Sequence, residues 1–245
     1  MKTKPLTFLL ALTFLFLFSG SVYGQEEVKK QYHDNGMLMY EIHYKNGIKE
    51  GLHTSWYKTG EKRYQSYFKD GKLEGVESTW WENGRYKSKI HWKNGKQEGL
   101  HTTLYENGIK ESENYYKNDK VEGLLKSWYE SGKKWGETHW KNGKQEGLET
   151  RWHEKTGKKR QEILYVNDKK NGVEKEWYEN GRKKFLKHYK NSVLDGMVTE
   201  WYISGKKKSL SHYKNGIENG IRKEWDENGT LTYEGNYIDG GEEIK

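Results

Sequence analysis

Histidine and glutamate recur along this chain at a spacing that invites a search for metal ligation or acid–base catalysis. His43, His91, His139, His188 and His212 fall in one slot of a 24-residue period, which Tyr67 and Tyr115 fill in other units. If each period spans two strands, equivalent slots lie about 9.6 Å apart. Two ligands on one zinc ion each sit only about 2 Å from the metal. The row therefore does not converge on an ion, and half-exposed packing across strands is expected instead. Glu50, Glu74, Glu98, Glu122 and Glu146, with Asp195 later in the same slot, form a second row before glycine. Its spacing is near the carboxylate separation of inverting glycosidases, about 6.5–9.5 Å. A catalytic pair, however, needs two environments that split its pKa values, and nothing distinguishes one pair of this row from the next. These carboxylates are expected to be solvated partners of turn lysines such as Lys45, Lys69, Lys93, Lys117 and Lys141, each exposed pair worth at most about 1 kcal/mol.

No glycine-rich phosphate loop follows a strand and opens a helix, and no nucleophile elbow or His-Glu-x-x-His pattern occurs. Cysteine is absent, which removes disulfides and thiolate zinc sites. The chain thus reads as non-enzymatic, without catalytic residues, metal or cofactor. The residue types left to carry function are aromatic. Trp56, Trp80, Trp128, Trp177, Trp201 and Trp225 recur in register and are the candidate binding-surface residues, able to stack on glycans or anchor a protein partner. Packing within the fold is their competing role.

A fixed period decides the architecture that positions these rows. An aromatic followed by a Lys-Asn-Gly-like turn occurs at Tyr44, Phe68, Trp92, Tyr116, Trp140, Tyr165, Tyr189, Tyr213 and Tyr237, in steps of 24 with a single step of 25. The extra residue lies in Trp152-His153-Glu154-Lys155-Thr156-Gly157. Halfway between runs the second ladder of Trp56 and its equivalents, most followed by another aromatic and a turn ending in glycine. Asn46-Gly47, Asp70-Gly71, Asn83-Gly84 and similar pairs supply the positive-φ residues of tight hairpins. Intervening segments such as Leu52 to Tyr57 and Lys62 to Phe68 have strand length. The expected fold is all-β, an elongated single-layer antiparallel meander of about nine 24-residue β-hairpin repeats, on the order of 80 Å long with strands of about 20 Å. With no second layer in sequence, both faces are partly wet and rely on cross-strand aromatic contacts and lysine stems.

The unit Trp80-Trp81-Glu82-Asn83-Gly84, followed by Trp92-Lys93-Asn94-Gly95-Lys96-Gln97-Glu98-Gly99-Leu100, resembles the MORN repeat variant of the YwqK-family antitoxin type. The resemblance covers about Tyr32 to Gly240. It implies an elongated antiparallel sheet used for scaffolding, protein contacts or lipid contacts. The antitoxin label implies neutralising a partner toxin, which would act in the envelope if the chain is exported.

Export is what the first residues indicate. Lys2 and Lys4 form a basic start, Leu6 to Phe18 an apolar run, and Val22-Tyr23-Gly24 a small-residue cleavage site, so residues 1–24 read as a signal peptide and 25–245 as the repeat array. The expected location is secreted or periplasmic, with an uncleaved N-terminal anchor as the alternative. The 44 basic and 36 acidic residues are interleaved rather than blocked, which disfavours nucleic acid as a partner. The leading expectation is a scaffold that binds a protein or envelope component; the alternatives are an antitoxin or immunity protein, and membrane-surface or glycan binding. The polar start after Gln25 and the charged tail are suited to discouraging edge-to-edge growth.

Overall fold

The computed structural model describes residues 24–243, so the signal peptide expected at residues 1–24 lies, but for Gly24, outside the described residues. Strands and turns alone make up that span. Each long strand pairs antiparallel with the next long strand in sequence, giving one 21-stranded open sheet with no crossover, the expected meander. Several of those strands are two-residue pieces, Lys169–Lys170 and Ile217–Glu218 among them, that continue a longer neighbour.

Strands are longer than the segments read from sequence. Ile48–Trp56 has nine residues and Lys62–Lys69 eight, so the sheet is about 27–31 Å wide at about 3.4 Å per residue, against the expected 20 Å. The difference arises at the Glu-Gly pairs. Glu50-Gly51 lies inside a strand, at a bulge: Ile42 faces His53 and Tyr44 faces Lys49, so His43 alone opposes three residues.

Two kinds of turn alternate. At Asn46-Gly47 both central residues have positive φ, 52° and 75°, as a two-residue hairpin turn requires. Asn118-Asp119, Asn167-Asp168 and Asn191-Ser192 hold the same conformation without glycine. At the other edge, glycine alone is positive, as in Gly84 and Gly108. The preceding Asn83 and Asn107 instead turn their side-chain oxygens onto the N–H groups of Arg85 and Ile109. These Asn-Gly pairs therefore do different work from Asn46-Gly47, although their sequences match.

The interior is thin and polar. Trp80 and Ile163 are the buried hydrophobic residues among those described, while Ser66, Asn114, Glu149, Glu174 and Ser211 are buried along one face and Thr54, Thr150 and Thr199 along the other. Leu52 pairs with Tyr67 and the adjacent His53 with Ser66, so successive residues alternate between two faces.

The bulge yields a contrast that tests its role. Gly99 has φ +110° and a Cβ there would sit 3.2 Å from the His91 Cβ, whereas Gly123 has φ +81° and open space around it. Both Gly→Ala changes incur the left-handed backbone penalty, about 1–2 kcal/mol. Gly99→Ala is expected to cost at least about 1 kcal/mol more in urea unfolding, because it also displaces His91. Equal losses would mean that the imidazole does not rest on the glycine.

Candidate functional site

The two catalytic-looking rows are explained by hydrogen bonds. Glu50 Oε2 accepts the backbone N–H of Asp70 at 2.7 Å, and Glu74, Glu98, Glu122 and Glu146 do the same for Asn94, Asn118, Asn142 and Asn167, with Asp195 serving Asn215. This corrects the expected pairing with turn lysines: a carboxylate gains more from a fixed, otherwise orphaned turn N–H than from a mobile exposed ammonium. The next turn N–H bonds to the same preceding repeat, as Gly71 does to the Lys49 carbonyl at 3.0 Å and Gly95 to Leu73 at 2.8 Å. Where glycine is replaced, the new side chain returns a bond, Asp119 Oδ1 accepting from Gln97 N–H at 2.8 Å.

Histidines of the slot pack across strands, as expected. The Nδ1 atoms of His91, His139, His188 and His212 lie 2.7–3.1 Å from the carbonyls of Leu100, Leu148, Met197 and Ile221. A carbonyl only accepts, so Nδ1 carries the proton. His43 instead meets the Glu41 carboxylate at 3.0 Å.

Those histidines share a stripe with exposed apolar side chains. Leu52, Val76, Leu100, Leu148, Met197 and Ile221, one per repeat, are 37–47% exposed, and Tyr67, Tyr115 and Leu164 lie beside them on the paired strands. The signal of this row in the sequence is the apolar residue that follows the bulge glycine, as in Gly51-Leu52, Gly99-Leu100 and Gly196-Met197, and it was not among the expected binding residues.

The tryptophan candidates lie along one edge of the stripe face. Trp80 is buried, and Trp56, Trp128, Trp177, Trp201 and Trp225 are half-buried. Lysines cover several rings: Lys62 sits 5.7 Å from the Trp80 centroid, with Lys110, Lys183 and Lys207 over Trp128, Trp201 and Trp225 at 5.6–5.9 Å. Each of Trp80, Trp128, Trp201 and Trp225 also receives at its carbonyl a hydroxyl from the preceding repeat, donated by Tyr57, Tyr105, Tyr178 and Tyr202 at 2.7–2.9 Å. Trp81 Nε1 does the same to Leu104, and His153 Nε2 to Trp177. The structure thus brings the candidates together as a packed ladder, and the aromatic that follows all of them but Trp225 faces the opposite side.

On that opposite side the sheet forms a trough. Tyr57, Trp81, Tyr105 and Tyr129 wall one side of it, and small residues including Ser55, Thr79, Ser88, Thr103, Ser112 and Ser127 form the floor. Three concavities of about 580, 480 and 570 Å³ follow one another and share lining residues, Lys87 and Ser88 between the first two, Thr103, Tyr105 and Glu111 between the next. Towards the C-terminus ion pairs lie along the trough, Glu149 with Arg151 at 2.6 Å, Glu174 with Lys170 at 3.0 Å and Glu200 with Lys208 at 2.9 Å, and a further concavity of about 620 Å³ opens beside the last of them, lined by Tyr202, Ser209, Ser211 and Arg222.

A single-sheet array of stacked hairpins, with side chains on both faces left for contacts, defines a repeat protein of the binding-module class. Eight segments match the model of the MORN repeat variant, residues 28–46, 49–70, 73–94, 97–118, 121–142, 170–191, 194–215 and 218–239, and the chain belongs to that family. The unmatched stretch between 142 and 170 contains the extra residue, yet Lys144–Trp152 and Lys159–Val166 form its hairpin in register with the rest. No curated protein matches the chain.

The trough floor also sets a pH response. Burial lowers the pKa of His53, with Lys49 adding to the effect, and burial lowers that of His101, from an ordinary value of 6.5. Both are neutral when folded, so the unfolded chain binds more protons and stability falls as pH drops below about 6.5 towards the folded values. Burial raises the Glu77 carboxyl, which acts in the opposite sense nearer the carboxylate range. Urea midpoints measured at about pH 7.5 and about pH 5.5 are expected to fall on acidification, and the slope is expected to flatten in a His53→Asn/His101→Asn double variant. An unchanged slope in that variant would contradict the assignment.

Proposed function

We propose that this chain is an exported, non-enzymatic scaffold that binds a protein partner in the cell envelope or outside the cell. Export rests on the basic, apolar and small-residue order of residues 1–24. The observation that carries the binding reading is the stripe of Leu52, Val76, Leu100, Leu148, Met197 and Ile221, all exposed and all on one face. Contiguous apolar surface of this kind, left uncovered by the fold and rimmed by polar residues, is a feature of contact sites. Lys45, Lys69, Lys93, Lys117 and Lys141 stand exposed at the adjoining turns and give the stripe a charged rim. A row that repeats once every two strands offers the same contact again and again, so an extended or repetitive partner gains from several weak anchors at once. The family's association with binding interactions supports the same reading.

Substitution separates the stripe from the fold. Leu100→Glu and Leu148→Glu alter exposed side chains, so each is expected to change folding stability by no more than about 0.5 kcal/mol. Together they should abolish recovery of a crosslinked protein partner from envelope extract that the unaltered chain recovers. Recovery of the same partner by the double variant, or of none by either chain, would overturn the reading.

A further inference from the structure

The trough on the face opposite the stripe has a chemistry of its own, and the geometry points to a second site, for a neutral linear β-1,4-linked hexopyranose glycan. Its centre is the concavity of about 570 Å³ lined by Tyr105, Glu111, Ser112, Ser127, Tyr129 and Trp135, within the usual size range of ligand sites. Trp135 is 37% exposed. It occupies a slot that holds Arg63 and Lys87 in earlier repeats. Its indole is not part of the lysine-covered ladder of Trp80 and Trp128, and Arg151 lies at 5.2 Å from its ring. An accessible aromatic face beside hydroxyl groups suits a pyranose ring, which presents C–H bonds on its faces and hydroxyls around its rim.

Polar groups of the site are matched to hydroxyls rather than to charge. Thr103 Oγ1 and Ser112 Oγ lie 2.7 Å apart. One hydroxyl of that pair donates to the other, which leaves one proton and several lone pairs for a ligand. Thr79 and Ser88 repeat the arrangement at 2.6 Å in the preceding unit. Glu111 is exposed, outside the ion pairs of the described residues, and its two oxygens can accept from two neighbouring sugar hydroxyls. No cation lines this concavity, and the two nearest are engaged, Arg151 with Glu149 and the Trp135 ring and Lys87 of the neighbouring concavity with the Trp81 ring, so a neutral ligand suits the site better than a polyanion. A peptide strand fares no better, because the floor lies within paired strands whose backbone groups are already bonded.

Length is the remaining argument. The neighbouring concavity, which holds Trp81 and Ser88, shares Thr103, Tyr105 and Glu111 with the first and repeats it two strands away. Two strands separate equivalent positions by about 9.6 Å, close to one disaccharide of an extended β-1,4-linked chain. The groove therefore presents aromatic and hydroxyl groups to alternate sugars of the same polymer, and the Glu149–Arg151 ion pair borders it on the C-terminal side.

The test is titration of the full chain with chitohexaose and with cellohexaose, followed by calorimetry and by tryptophan fluorescence. Maltohexaose, whose α-1,4 linkages curl, serves as the control of geometry. At least one β-1,4 hexamer is expected to bind, the corresponding disaccharide about tenfold more weakly and maltohexaose no better than the disaccharide. Trp135→Ala is expected to weaken the hexamer about tenfold and remove the fluorescence change, with the unfolding midpoint unchanged. Glu111→Gln, at an exposed position that carries no packing, should weaken it without loss of fold, and raised salt should leave affinity unaltered. Absence of binding by both β-1,4 hexamers, equal binding by Trp135→Ala, or loss of binding in salt would overturn the inference. So would preferential binding of an extended peptide. None of these results bears on the stripe, whose partner is read separately.

Discussion

Every turn of a single-layer sheet exposes backbone N–H and C=O groups that no neighbouring layer can cover, and in this protein the adjacent repeat along the chain satisfies many of them. At one edge a glutamate and a carbonyl take the two consecutive turn N–H groups of the following hairpin, as Glu50 and Lys49 do for Asp70 and Gly71. At the other edge a tyrosine hydroxyl reaches the carbonyl of the next tryptophan, as from Tyr105 to Trp128. These bonds add to the strand ladders, which run both within each hairpin and between one hairpin and the next. Folding of the whole depends on both, because buried polar groups without partners cost more than the bonds themselves contribute.

A second consequence concerns how so little aliphatic surface suffices. The buried central rows are mostly Ser, Thr, Asn and Glu, and what shields them is long side chains lying along the sheet. Lysine stems over Trp80, Trp128 and Trp201 do this on one face, and the ring pairs of His53 with Tyr64 and of His101 with Tyr116 on the other. The amphipathic residues that raise the charge of the chain are thus also its covering layer. Each repeat is shielded by its immediate neighbours, which is the condition for stability to accumulate unit by unit.

The period, the meander and the turns were legible because each depends on residue type at a fixed offset: Asn-Gly for left-handed backbone, aromatics in two ladders, no interior proline. The strand ends were not, since Glu50-Gly51 looks like a turn and proves to be a bulge that only the opposing His43 explains. The partner of the glutamate row was also hidden. Sequence proximity favours Lys45 for Glu50, whereas the actual donor, Asp70, is 20 residues away and comes close only once two hairpins stack. For the site, the aromatic rows could be read, but not their faces. The extra residue of the bulge beside Trp56 is Arg63 on the partner strand, so alternation runs unbroken from Leu52 to Trp56 and puts the tryptophans on the stripe face while Tyr57 and its equivalents wall the trough. Trp135 stood outside both ladders and gained meaning only when the trough placed it.

The central claim, that bonds between adjacent repeats rather than a shared core hold the array, is tested most directly by deleting residues 97–120 from the full chain. That deletion joins Lys96 to Val121 and brings Glu122 into the slot of Glu98, so the stacking bonds can re-form across the junction. Urea unfolding of the shortened protein is expected to stay cooperative, with native β dichroism and with stability and m-value reduced in proportion to the length removed. Collapse of the whole array, or a loss far beyond one repeat's share, would show that distant repeats support one another and would contradict the account.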